Sequence, residues 1–392
     1  MKPLVNSTMT RRKFLKGATA LGIGMTFAPQ LVWGAEEKKL NLYNWDTYIG
    51  ENTVANFAKK FGMKVQYDLY ANNEELFAKL KEGNPGFDVI WPSDYTVESL
   101  TKLKKLMPLD HSKLPNMKNI DPDPNFSNPA FNPGLKYGVP YMWGTMGIGY
   151  RKSKVKKPPT SWKVLFDSDE YSGRIALLAD ARAVIGITLK YLGYKMNSVN
   201  PQEIAQARDL LIKQKKHIKS FAEDNGQDLL LSGECDLVME WNGDIVQVMA
   251  EDKDLAYVVP NEGTNVWMDN VCIPVGAPHP DNAHTFINYI MDAKVNADIA
   301  NFIHYGTANI AAKKYIVKED LANPAIYPPA ETIAKSEVLV DVGNDARLYD
   351  EAWVANPAIY PPAETIAKSE VLVDVGKDAR LYDEAWVAIQ AG

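Results

Sequence analysis

Short apolar runs alternate with amphipathic stretches along most of this chain. Residues 39–43 predict a strand, 53–61 a helix and 64–70 a second strand. Asn72 stands where a helix through Lys81 needs its cap, and Glu75 sits three residues on to complete a capping box. Residues 87–91 are nearly all apolar, as in a parallel-sheet strand covered on both faces. A connection rich in Pro and Asn, roughly 121–133, leads into 137–150, whose pattern predicts a pair of strands. A second series then begins with a strand at 174–178 and a helix at 181–191. The next helix is opened by Asn200-Pro201, with Glu203 at its third position. Strands are predicted at 236–241, 255–259 and 266–275. Two α/β units joined by extended strands predict two lobes around a cleft, where the ligands of such sheets bind.

The two ends of the chain follow different rules. Thr10-Arg11-Arg12-Lys13-Phe14-Leu15-Lys16 precedes a weakly apolar stretch to about Gly34. A paired arginine before a Gly/Ala-rich core predicts a twin-arginine signal peptide over 1–34 and a periplasmic destination. Gly17, Gly22, Gly24, Pro29 and Gln30 leave the run short of the roughly 20 clean apolar residues that a membrane anchor needs. At the other end, 356–388 repeats 323–355 with one difference, Lys377 for Asn344. Repeat arrays need about three or more units, so a solenoid is excluded. This tandem duplicate is expected to be an appendage, or to compete for the site that the first copy occupies.

Charge narrows the function. Lys and Arg number 43 against 49 Asp and Glu, a net −6; without the basic leader the balance is 38 against 49, a net −11. That argues against nucleic acid as a partner. Five scattered histidines and two cysteines offer no metal-ligand spacing. An oxidising compartment permits a Cys235–Cys272 bridge, with two buried thiols as the alternative. Phosphate-loop, nucleophile-elbow and zinc-protease motifs are missing, so neither an enzyme nor a cofactor is indicated. Gly144, Gly147 and Gly149 resemble a dinucleotide loop only until Lys152, which stands in place of the third glycine; they are expected to let strands cross closely.

Four segments place an aromatic beside an acid: Tyr43–Tyr48 with Trp45 and Asp46, Trp91–Tyr95 with Asp94, Trp241–Asp244, and Trp267–Asp269. Rings that cover methylenes and carboxylates that bind ammonium hydrogens suit a flexible aliphatic amine. The plainer reading is that the tryptophans are core and the acids are caps, with Asp244 capping a helix at 245–250 and Ser93 or Asp94 the one after Trp91.

With these segments the chain resembles the bacterial periplasmic spermidine/putrescine-binding proteins of ABC importers. The markers are YNWDTYIG, FDVIWPSDY, GVPYMWGTMGIGY, LADARAV, EWNGD, VWMDNVCIP and YGTANIAA, in order from about Lys39 onward. The resemblance implies a two-lobed type II solute-binding fold of α/β class, with two crossover strands and a ligand cleft between the lobes. One lobe would comprise 37–144 with about 270–312, the other 145–269 with about 313–355. It implies a polyamine ligand, an inner-membrane permease as partner and a monomeric binding protein. Trp45, Tyr48, Ser93, Tyr95, Asp180, Trp241, Trp267, Asp269 and Tyr305 match the family's ligand residues, and Asp244 an acid typical of its putrescine-preferring members. Two positions depart: Ala183 replaces a glutamate, and Leu339 (Leu372 in the second copy) replaces a glutamine. The rivals are a binding protein for an amino acid or sugar, with Arg182 clamping a carboxylate, and an exported enzyme.

Overall fold

The computed structural model describes residues 36–354; the predicted leader at 1–34 and the second tail copy at 356–388 lie outside the described residues. The strands are β1 (Lys39–Asn44), β2 (Lys64–Leu69), β3 (Val89–Ile90), β4 (Gly138–Arg151), β5 (Ile175–Leu178), β6 (Ile218–Ala222), β7 (Leu237–Trp241), β8 (Leu255–Val258), β9 (Val266–Cys272) and β10 (Gly306–Thr307). Their order is β2-β1-β3-β9-β4-β7-β5-β6, with β8 and β10 also on β4. β1 pairs in parallel with β2 and β3, and β5 with β6 and β7. The pairs made by β4 are antiparallel.

The run 137–150 is therefore one continuous strand and not a pair. Residues 138–145 of β4 pair with β9, and 146–151 with β7 and β8, so β4 passes from one α/β unit to the other. Its register shifts between Pro140 and Trp143, where the proline has no N–H for the ladder. The glycines allow the close approach expected of them. A Cβ at Gly144 would collide with Asn242 and Trp267, and one at Gly147 with the Tyr257 ring.

Helices Thr53–Phe61 and Ala181–Tyr191 have their predicted bounds. Asn72 caps Asn73–Lys81 by accepting the Glu75 N–H at 2.8 Å, but Glu75 turns its carboxylate to Ala71 N and the Tyr43 hydroxyl. The capping box is thus half closed. The two largest apolar cores among the described residues flank the shared strand. Leu40, Leu42, Phe57, Trp91, Phe286 and Ile303 fill one; Ile148, Leu177, Ile185, Leu237, Tyr349 and Trp353 fill the other. Each such side chain contributes about 1.5–3 kcal/mol.

The first tail copy docks on the second core. Glu337 bridges Asn265 in parallel, and the Tyr349 hydroxyl donates to Ser198 O at 2.7 Å. Arg182 is buried with its guanidinium 4.0 Å above the Tyr349 ring, and Nη2 donates to Asn197 and Val340 O. It is not a clamp in the cleft. Cys235 and Cys272 are buried and unpaired; burial pushes the Cys235 thiol up to about 11.

A candidate ligand-binding cleft

The strands end where the chemistry collects. Trp45, Asp46 and Tyr48 follow β1, Ser93 and Tyr95 follow β3, Asp180 follows β5, and Trp241 ends β7. Parallel sheets bind ligands outside the carboxyl ends of their strands. Trp267 and Asp269 enter from β9, Tyr305 from just before β10, and Asp244 from the helix Asn242–Glu251. These eleven residues line one cleft of about 550 Å³. Asn73, Asp94, Asp224, Asn265 and Leu339 complete its wall.

The aromatic side chains form a box of edge-to-face contacts. Tyr305 meets Tyr48 at 5.3 Å and Trp267 at 5.2 Å between ring centroids, and Trp241 meets Trp267 at 5.7 Å. Trp45 is fixed by its indole N–H, which donates to Trp91 O at 2.8 Å. A Cβ at Gly243 would collide with the Tyr305 ring, so glycine lets the helix start approach the box.

Asp269, Asp244 and Asp180 are each held by a defined partner. The Ser93 hydroxyl donates to Asp269 Oδ1 at 2.6 Å, and Asn73 Nδ2 donates to Ser93 Oγ at 3.0 Å. The Tyr305 hydroxyl donates to Asp244 Oδ2 at 2.8 Å. Asp180 accepts the Ala183 N–H at 2.8 Å and caps the helix Ala181–Tyr191. Asp180 thus caps a helix and lines the cleft at once. The cap expectations for Asp244 and Ser93 change. The helix after Trp241 begins at Asn242, so Asp244 lies in its first turn and does not cap it. Ser93 occupies the cap position of Asp94–Lys102, yet spends its hydroxyl on Asp269.

Burial raises these carboxyls. Asp269 is pushed up to about 7, although Ser93 and Tyr48 pull it down. Asp244 is also pushed up to about 7 by burial, against the Tyr305 hydrogen bond. Asp180 is raised by burial and lowered in part by the Ala183 amide and Arg182. Asp224 lies well above the ordinary carboxylate range because of burial and the nearby Asp244. Ionising such a wall is costly without a counter-charge, which a cation in the cleft would supply. One unpartnered acceptor also reaches the cleft, Asn265 Oδ1.

Sequence reasoning passed over Asp224, Glu240, Asn73 and Asn265. Asp224 lies in a Glu-Asp-Asn-Gly stretch that reads as a turn, and its φ of 46° is left-handed. Glu240 lies in a strand beside Trp241, where an acid is unexpected. Asp224, Glu240 and Asp244 bring one oxygen each within 4.8 Å of one another, an all-carboxylate grouping suited to a cation.

Known proteins resemble this chain over most of its length. Residues 52–326 match the family described as bacterial extracellular solute-binding protein. A spermidine/putrescine-binding periplasmic protein of Salmonella typhimurium is 35% identical over 341 residues, 86% of this chain and 96% of the relative. A putrescine-binding periplasmic protein of Escherichia coli is 34% identical, over 84% of this chain and 93% of its own. The solved structure of a spermidine/putrescine ABC transporter substrate-binding protein from Streptococcus pneumoniae superposes with a TM-score of 0.69 at 32% identity, covering 82% of this chain and 99% of the other. The chain belongs to the bacterial extracellular solute-binding protein family, in the company of the spermidine/putrescine-binding periplasmic proteins.

Proposed function

We propose that this protein binds a polyamine, putrescine or spermidine, in the periplasm and delivers it to the membrane permease of an ABC-type importer. One observation carries the reading: Asp269 and Asp244 stand in an aromatic box of Tyr48, Trp241, Trp267 and Tyr305, short of positive charge. The rings cover the methylenes of an alkyl chain and turn their π faces to its charge, each contact contributing about 0.5–2 kcal/mol. Asp269 holds one ammonium, and Asp244 or Asp180 the other, through charge-assisted hydrogen bonds. A neutral solute leaves these buried carboxyls unpaired and is rejected.

The ligand enters an open form, and the lobes, 37–144 with about 270–312 and 145–269 with about 313–355, close on it by hinge motion. The closed monomer presents both lobes to the permease, without cofactor or catalysis. Segment 1–34 directs export by the twin-arginine route. Against the amino-acid reading, Arg182 is committed to Tyr349 and Val340 rather than to the cleft. Asp244 offsets the glutamate replaced by Ala183.

Titration of tryptophan fluorescence against putrescine, spermidine, spermine, amino acids and sugars tests the proposal. A saturable response to an amine alone, well below about 1 mM, is expected; no amine response below that concentration overturns it.

A further inference from the structure

One buried acid has no part in this binding scheme. Glu240 is fully buried in β7, one residue before Trp241. Its Oε2 accepts the Gly226 N–H at 3.1 Å and its Oε1 the Trp241 N–H at 2.9 Å. A Cβ at residue 226 would collide with Oε2, so the glycine makes room for the carboxyl. Glu240 therefore ties the loop that carries Asp224 to the strand end that carries Trp241. In this way the oxygens of Asp224, Glu240 and Asp244 come within 4.8 Å of one another at the cleft wall.

The groups that face this trio are Asp46 after β1, Asp228 on the helix Gly226–Leu231, Asp269 on β9, and the phenols Tyr257 on β8 and Tyr305. All are acids or neutral phenols. An independent sign of a ligand is an unpartnered acceptor in the same cleft. Asn265 Oδ1 belongs to a side chain only 2% exposed. An ammonium supplies the N–H donor that it lacks.

We infer that Asp224, Glu240 and Asp244 form a proton-sharing seat for one amino end of the ligand, whose arrival displaces a proton from the seat to solvent. The inference rests on the polyamine reading. In the empty cleft three carboxyls this close cannot all ionise, and one keeps an O–H. When the ammonium enters it retains its own three N–H bonds. The carboxyl O–H breaks, its proton passes to water, and the new carboxylate accepts an ammonium N–H. Burial and the neighbouring acids hold Glu240 well above the carboxylate range, which fits this order of events. Glu240 acts as a positioning residue, since it sits behind the wall that touches the ligand. The seat makes binding tighten as pH rises from about 6 to 8.

Calorimetry of the protein with putrescine at pH 7, in buffers of differing ionisation enthalpy, counts the protons released. The expected result is about half to one proton per ligand. Asp224→Asn should reduce that release by more than half, with affinity falling no more than about tenfold. Glu240→Gln should also reduce it, and if that buried variant does not fold, Asp224→Asn decides alone. A binding heat independent of buffer, or undiminished release in Asp224→Asn, overturns the seat while leaving the polyamine reading intact. No binding of putrescine or spermidine overturns both.

Discussion

The Ser93 hydroxyl donates to Asp269 Oδ1 at 2.6 Å, joining residues 176 positions apart in the chain. It links the end of β3 to the middle of β9, and the two residues also form an isolated antiparallel bridge. Ser93 gives up its capping hydrogen bond to aim this carboxylate into the cleft. Asp269→Asn should therefore weaken polyamine binding by about 3–5 kcal/mol, because an ammonium loses its buried partner. Each single truncation of Trp241, Trp267 or Tyr305 should cost less. Titrations of the four variants check this, and equal losses would contradict the charge-pair account.

The raised carboxyls link stability to pH. Asp244 and Asp269 titrate near 7 in the folded chain, far above the ordinary aspartate range. Folding therefore favours their protonated forms, and the stability they contribute is lost as pH rises through about 7. The ligand-free protein should unfold at a lower temperature at pH 8 than at pH 5. Added putrescine should raise the midpoint more at pH 8. Thermal unfolding at both pH values tests this; a ligand shift equal at both would count against it.

Gly243→Ala should damage binding more than folding. The added methyl collides with the Tyr305 ring, whose hydroxyl holds Asp244. Overpacking of this kind costs about 1–3 kcal/mol. The expected outcome is a weakening of amine binding of about tenfold or more. A preserved far-ultraviolet spectrum with unchanged affinity would show that the ring does not set the site.

The duplicated tail offers a clean comparison. Deleting 356–388 should leave affinity and melting temperature within the error of the parent chain, because 323–354 is already docked. Deleting 323–355 instead should give nearly the same result. The one differing position, Asn344, is exposed, so lysine there disturbs nothing. Removing both copies takes away Tyr349 and Trp353 from the second core and should unfold it. Circular dichroism melts of the three deletions distinguish these outcomes.

Much of the fold was readable because apolar runs, Asn caps and Pro starts act locally, as at Asn72, Asn200 and Ala181–Tyr191. The strand 137–150 misled because its continuity rests on pairing with β9 at one end and β7 and β8 at the other, neighbours that no local pattern reveals. In the cleft, the aromatic–acid segments stood out as repeats of one chemistry. Asp224 and Glu240 did not: one resembles a turn residue, the other interrupts a strand, and only folding brings them beside Asp244.

The central claim is that the cleft selects charge on an alkyl chain. Isothermal titration with putrescine and with 1,4-butanediol, the same four-carbon chain without ammonium groups, tests it most directly. The account predicts saturable binding of putrescine in the micromolar range or tighter, equivalent to about −8 kcal/mol, and no measurable heat from the diol. Comparable binding of the diol, or no binding of putrescine below about 1 mM, would contradict it.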